Sequence, residues 1–189
     1  RPALPGDAKV RVAGVDATEV ARVGARVAIA STDWDDALTE TRTVVASRRT
    51  TGLGVEHTLD APLTIAHGGT EPVAAEVASL SRNIRIIGAS GCARRAPKPR
   101  CGHVIISHTP HGVVCGVELS NLGAHTTLGK YPLHAHMCGN ASSLAFAANA
   151  IHETYHRSLV VHSTSDALFA HNVAYDGTGH MYVLENGLE

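Results

Sequence analysis

Aromatic side chains are scarce: 4 % of 189 residues, with one Trp and two Phe. A core cannot be organised around stacked rings and must be filled by Val, Ile, Leu and Ala. Net charge is almost absent as well, 16 basic residues standing against 17 acidic ones for a formal −1. That balance supplies no long-range field toward nucleic acid or an anionic membrane, so neither is an expected partner. Long apolar runs are missing; a stretch such as Ser142 to Ala150 falls far short of the roughly 20 residues of a membrane-spanning helix. Cysteine is limited to Cys92, Cys101, Cys115 and Cys138, with no C-x-x-C spacing for metal or redox chemistry. Two bridges remain open, Cys92 with Cys101 and Cys115 with Cys138, as do four buried thiols. Position 1 is Arg and no signal-peptide pattern follows, so the sequence reads as a piece of a longer exported polypeptide that continues beyond residue 189.

What is present is short β-type segments. Val10 to Val15, Arg26 to Ala30, Thr41 to Ser47 and Val55 to Leu59 are each bounded by turn residues. The Gly68 to Pro72 run suggests a boundary, giving a first domain over 1–70 and a second over 71–189, with helical character over Val73 to Ser81. Eleven of the 13 histidines lie between His103 and His180, which puts the chemistry in the C-terminal half. An internal repeat is visible there. An offset of 23 carries Asn149 to Asn172, Ile151 to Ala174, His152 to Tyr175, Leu159 to Tyr182, Val161 to Leu184 and His162 to Glu185. A unit of that length with three- to five-residue strands predicts one coil of a parallel β-helix, coils stacking about 4.8 Å apart. A leucine-rich repeat is excluded by the missing Leu and Asn framework. Asn83 to Ile87, His103 to Ser107, Gly112 to Leu119 and Tyr131 to His136 fit as earlier coils. The Cys115 to Cys138 separation is again 23, which suggests a bridge between adjacent coils.

Several segments then resemble the fibrocystin and cell-migration-inducing hyaluronidase group: Leu128-Gly-Lys-Tyr-Pro-Leu-His-Ala-His136, Arg157-Ser-Leu-Val-Val-His162, Asn172-Val-Ala-Tyr175, Gly179-His180 and Leu184-Glu-Asn-Gly187. Upstream, Val27-Ala-Ile-Ala-Ser-Thr-Asp33, Leu59-Asp-Ala-Pro-Leu63 and His67-Gly68 look like the end of that group's glycine-rich β domain. The likeness runs over roughly residues 23 to 189. It departs at Ala135, where the group carries an aromatic between two histidines, and at Asn186, where it carries Asp. The resemblance implies an all-β fold, a right-handed parallel β-helix preceded by part of a glycine-rich β domain, in an extracellular or cell-surface glycoprotein. Some members of the group depolymerise hyaluronan and others have no established enzymatic role.

Strand alternation places His134 and His136 on one face of their strand and His162 on the same face of the next. A column of His136, His162 and Glu185 follows, with His134 and His180 nearby. Imidazole and carboxylate suit a divalent metal such as Zn²⁺ or Ca²⁺; the same column could bind a sugar through His134, His136, His180 and Asn186, or be a polar ladder facing solvent. Two functional readings stand. The first is a non-catalytic module that binds glycans or neighbouring proteins in a surface or matrix assembly. The second is a polysaccharide depolymerase with Glu185 and His162 as general base and acid, for which Asn186 stands where a second carboxylate is wanted. Asn149 and Asn172 are read as a structural ladder. Asp33, Trp34 and Asp35 are read as a turn carrying a half-buried Trp, with a sugar-stacking or calcium loop as the alternative. Arg94, Arg95, Lys98 and Arg100 read as a solvated loop or a grip for an anionic polysaccharide.

Overall fold

Alternating burial is clearest in the strand Gly54–Leu59, where Val55, His57 and Leu59 are buried and the residues between them are partly exposed, as a half-buried strand requires. The computed structural model describes residues 1–13, 21–51, 54–70, 72–89 and 100–187. It divides into two compact units, Arg1–Ser81 and Arg82–Glu189.

In the first unit, β1 (Lys9–Ala13), β2 (Arg26–Ile29), β3 (Glu40–Arg49), β4 (Gly54–Leu59) and, later in the chain, β7 (Val77–Ser79) form an antiparallel sheet in the order β1-β4-β3-β2-β7. A two-stranded hairpin, β5 (Gly69–Thr70) with β6 (Val73–Ala74), completes it. Val10, Val27, Ile29, Val44, Leu59 and Leu63 make the core. The expected helical character over Val73 to Ser81 is not found; β7 pairs with β2 instead, because sheet pairing overrides a weak local preference. The unit therefore runs past the Gly68 to Pro72 punctuation.

Trp34 is fully exposed rather than half-buried. The adjacent carboxylates are committed to the turn, Asp33 accepting from the Trp34 N–H at 2.7 Å and Asp35 from the Ala37 N–H at 2.9 Å. Beneath the sheet, Glu40 accepts from the Thr64 N–H at 2.9 Å and is bonded to Arg42 and, at 3.0 Å, to the buried His67. Burial alone raises a carboxyl pKa, yet the hydrogen bonds from His67, Thr64 and Ile65 outweigh it and bring Glu40 down to about 2.

The second unit contains three parallel sheets whose strands recur in rotation along the chain. One holds β8 (Ile84–Ile87), β11 (Val117–Ser120), β14 (Ala150–Thr154) and β17 (Val173–Gly177). The second holds β9 (Val104–Ser107), β12 (Leu133–Asn140), β15 (Leu159–Ser165) and β18 (Tyr182–Leu184), and the third β10 (His111–Cys115), β13 (Ser143–Ala147) and β16 (Leu168–Ala170). Leu119, Leu133, Ala135, Leu144, Phe146, Ile151, Leu159 and Val161 from all three form one apolar core. The registers Ile151↔Ala174, His152↔Tyr175, Leu159↔Tyr182 and Val161↔Leu184 are those of the sequence repeat.

Coil length is not constant, and the expected bridge between adjacent coils fails for that reason. His111 pairs with Ser143 and Cys115 with Ala147, so an offset of 23 does not stack these earlier coils. Cys115 is an exposed free thiol in the third sheet and Cys138 a buried one in the second, its Sγ donating to the Ile106 carbonyl at 3.5 Å; no bridge joins them. Cys92 lies outside the described residues, as do Arg94, Arg95 and Lys98, while Cys101 is buried. The predicted strand Gly112 to Leu119 is in fact two, broken at Gly116.

Gly116 marks how each coil turns. The residues just after the paired positions of the third sheet, Gly116, Ala148 and His171, all have φ between 55 and 66. Asn121, Glu153 and Asp176 in the first sheet, and His108, Met137 and Ser163 in the second, are likewise left-handed, with φ between 48 and 55. Each corner is a single left-handed residue, and eight of these nine carry a side chain. Ala148→Val is expected to cost about 1–3 kcal/mol because a β-branched residue is strained at positive φ. Ala148→Gly should be close to neutral; chemical denaturation of the two variants checks the ordering.

Candidate functional site

Leu133 and Ala135 of β12, and Leu159 and Val161 of β15, enter the core, which turns His134, His136, Val160 and His162 to the opposite face of the sheet. That face is not open. Val160 and His134 are 0 % and 1 % exposed, and Gly129 and Tyr131 of the chain segment leading into β12 pack against His134. The fully buried Tyr131 ring packs edge-on against His134 at 4.9 Å and against His156 at 4.8 Å.

The register aligns Ser107, His136 and His162 on neighbouring strands. The His136 and His162 rings are 4.9 Å apart, and His134 stacks parallel to His162 at 6.5 Å. Glu185 follows β18, its N–H donating to the Val161 carbonyl at 2.9 Å, and its Oε2 lies 3.8 Å from His162 Nδ1. The other oxygen, Oε1, accepts from Tyr131 Oη at 2.8 Å and from Arg157 Nη1 at 2.7 Å. The carboxylate is thus clamped on one edge and presents the other to the histidines.

Three of these groups converge. One ligand atom each from His134, His162 and Glu185 lies within 4.8 Å of the others. His134 rather than His136 completes this set; His136 sits beside it with its Nδ1 3.3 Å from Ser107 Oγ. The His134 ring is oriented by Gly129, whose carbonyl is 3.3 Å from Nδ1. With the proton on Nδ1, the buried Nε2 is an acceptor, and it has no hydrogen-bond partner. Burial brings the His134 pKa down to about 4, the charges of His136 and His162 adding to the fall, so the ring is neutral at physiological pH. His136 is lowered by burial and then by His162 and His108. A neutral imidazole with an unused lone pair, held through its far nitrogen, is the form in which histidine binds metal.

His180 does not reach this set. It lines a neighbouring cavity of about 230 Å³ with His125, His156 and Arg157. Asn186 joins coils, its Oδ1 accepting from the Ser163 N–H at 3.2 Å and its Nδ2 donating to Ser163 Oγ at 3.0 Å. Tyr131 and Arg157 were not among the residues nominated from sequence. They are 26 residues apart, the same offset that carries His136 to His162; applying that offset to the whole segment would have placed Arg157 beside Tyr131.

Residues 100–189 match the family model of the CEMIP beta-helix. The chain is 32 % identical over 167 residues to a G8 domain-containing protein of Dictyostelium discoideum, covering 88 % of this chain and 14 % of that one. It is 29 % identical over 167 residues to the communication mutant protein F of the same organism, covering 88 % of this chain and 15 % of that protein. Against the cell surface hyaluronidase of Danio rerio, identity is 31 % over 131 residues, 61 % of this chain and 10 % of that one. The chain thus spans about a seventh or less of the length of these relatives. No helix among the described residues is long and apolar enough to cross a membrane. Parallel sheets, a β-helix family match and homologues along most of the chain together place its similarity in a CEMIP/G8-like group.

Proposed function

We propose that this chain is part of an extracellular or cell-surface protein in which a right-handed parallel β-helix, preceded by the end of a glycine-rich β domain, binds acidic glycan beside a divalent metal held by His134, His162 and Glu185. The reading extends the fibrocystin side of the resemblance as well as the CEMIP side. The observation that carries it is the orphaned Nε2 of the buried His134, converging with His162 and the free edge of Glu185. Two imidazoles and a carboxylate form a donor set suited to Zn²⁺, leaving a coordination position for water or a sugar oxygen. Ca²⁺ favours an oxygen-rich shell and fits it less well.

Native mass spectrometry of untagged protein titrated with Zn²⁺ tests the proposal. One ion per chain is expected, with affinity reduced at least tenfold in His134→Gln and Glu185→Gln. Stoichiometric binding that survives both substitutions, or no binding at all, would falsify the metal reading.

The second reading is a polysaccharide depolymerase, supported by the name of the Danio rerio relative and by a carboxylate oriented by Arg157 and Tyr131. Glycoside cleavage by two carboxylates needs a partner roughly 5–10 Å from the first. Among the described residues, Glu185 is the one carboxylate of the converging group, and Asn186 beside it is an amide engaged with Ser163. Binding without cleavage is therefore the favoured function. Hyaluronan incubated with the protein should keep its chain length; shortened products that disappear in Glu185→Gln would reverse the preference.

A further inference from the structure

The six asparagines of the chain differ in what their amides are used for. Asn149 and Asn172 donate to the Val114 and Phe146 carbonyls, and Asn186 donates to Ser163 Oγ, so these three join one coil to the next. Asn121 accepts from Tyr155 Oη at 3.1 Å. Asn140 stands apart. It and Ser142 are exposed, while Ala141 between them is fully buried. Asn140-Ala141-Ser142 is the N-x-S/T acceptor sequence, with no Pro at its middle position. None of the other five asparagines has Ser or Thr two residues further on.

The local structure presents this tripeptide to solvent. Asn140 is the last residue of β12 and Ser142 immediately precedes β13, so the motif forms the turn from the second sheet to the third. Ala141 anchors the turn: it belongs to the apolar core, its N–H donates to the Ser165 carbonyl at 2.8 Å, and its carbonyl accepts from the Leu144 N–H at 2.8 Å. There is room beside it. Gly139 is exposed, and a Cβ built on it would meet nothing within 4 Å. Asn140 Nδ2 donates to Oδ2 of the exposed Asp166 at 2.6 Å. A side-chain amide nitrogen carries two hydrogens, so one can be replaced while the other keeps the Asp166 bond. Asn149 could not accept such a change, because its Nδ2 donates both to Val114 and to Asn172.

We infer that Asn140 is an acceptor for an N-linked glycan. The inference rests on the extracellular reading, because the transfer takes place on the export route, and it names where on the coil the modification falls. The donor is an oligosaccharide linked to a lipid pyrophosphate. Asn140 Nδ2 bonds to C1 of the first sugar as the bond from C1 to the pyrophosphate oxygen breaks. The lipid pyrophosphate leaves with that electron pair, and one amide proton passes to a base. The Ser142 hydroxyl is the recognition element. Transfer precedes folding, and the folded turn then holds the sugar outward, beyond the left-handed residues Met137 and Gly139 that separate Asn140 from His136.

The test is expression of the full chain behind an added export leader in cultured eukaryotic cells, with peptide N-glycosidase digestion of medium and lysate. Because transfer precedes folding, the lysate reads the modification even where secretion is poor. A single mobility shift that the enzyme removes is expected, with Asn140 converted to Asp and labelled when the digestion is run in heavy-oxygen water. The shift should be lost completely in Asn140→Gln and in Ser142→Ala and persist in Ser142→Thr. Ser142→Ala leaves the Asn140 amide and its Asp166 contact in place, which separates loss of the motif from loss of the fold. An unshifted unsubstituted chain, or a shift that survives Ser142→Ala, overturns the site. The same peptide taken from the full-length protein in its own cells tests the reading beneath. Full-length protein outside the cell with Asn140 bare overturns the site and leaves the extracellular reading standing. Full-length protein retained in the cytosol with Asn140 bare, while the leader-bearing chain is glycosylated, upholds the acceptor and removes the extracellular reading.

Discussion

Lowering the pH from 7 to 4 is expected to loosen the Arg82–Glu189 unit. The cause is His134, which folding buries in a neutral state and whose pKa falls from 6.5 to about 4. Between those values the unfolded chain binds a proton that the folded chain refuses, so stability rises with pH there. The contribution is complete above about 6.5 and is lost as pH falls toward 4, a change of about 3 kcal/mol at the usual 1.36 kcal/mol per pKa unit. His103, His136 and His156 are shifted in the same direction, each first by burial. In the other unit the depressed pKa of Glu40 places its own loss between 4.5 and about 2. Hydrogen exchange read by mass spectrometry at pH 7, 5.5 and 4.5, corrected for intrinsic rates, resolves the two units separately. Protection over 104–184 should fall across that series and be flatter in His134→Gln. Equal protection at pH 7 and 4.5 would mean that the ring accepts a proton without loss, and the orphaned nitrogen would then have a partner after all.

The strand pairings of the last two coils were legible because identical spacing there reflects identical geometry: Leu159 over Tyr182 and Val161 over Leu184 follow from one offset. The earlier coils were legible only as strands. Pairing of Leu133 with Leu159 needs an offset of 26, and of His111 with Ser143 one of 32, because the connecting turns differ in length. A single period cannot be projected across such turns, which is why the suggested Cys115 to Cys138 bridge joined two different sheets. Burial on the outer face was illegible for a related reason. Alternation sorts His134 from Leu133 but does not say that Tyr131 will roof it, and that roof turns His134 from a surface group into the member with the unused lone pair. The corners were missed because sequence reading looks for glycine at positive φ, whereas Ala148, Met137 and Glu153 adopt it here; stacking between coils holds them in place despite the cost.

Asn149→Ala is expected to be the most damaging single substitution outside the apolar core. Asn149 is fully buried. Its Oδ1 accepts from the Val117 N–H at 3.0 Å, and its Nδ2 donates to the Val114 carbonyl at 2.9 Å and to Asn172 Oδ1 at 3.0 Å. Asn172 repeats the arrangement one coil on, accepting from the Asn149 N–H at 3.1 Å and donating to the Phe146 carbonyl at 2.8 Å. Removing the Asn149 amide strands a donor at Val117 and an acceptor at Val114. At roughly 1–3 kcal/mol for each buried group left unsatisfied, the loss comes to about 3–5 kcal/mol. Asn172 is only partly buried, so water can replace its amide, and Asn172→Ala should cost about 1–2 kcal/mol. Asn149→Asp should resemble Asn149→Ala, since an ionised carboxylate offers no donor to Val114 or Asn172. Urea unfolding of the three variants gives the ranking directly, and equal losses at 149 and 172 would contradict a penalty that depends on burial. The consequence reaches the site, because the register that this ladder fixes also sets His136 against His162 and Tyr131 near Arg157. Zn²⁺ affinity should therefore fall in Asn149→Ala even though Asn149 touches none of the three proposed ligands, and stay near the parent value in Asn172→Ala if that coil holds.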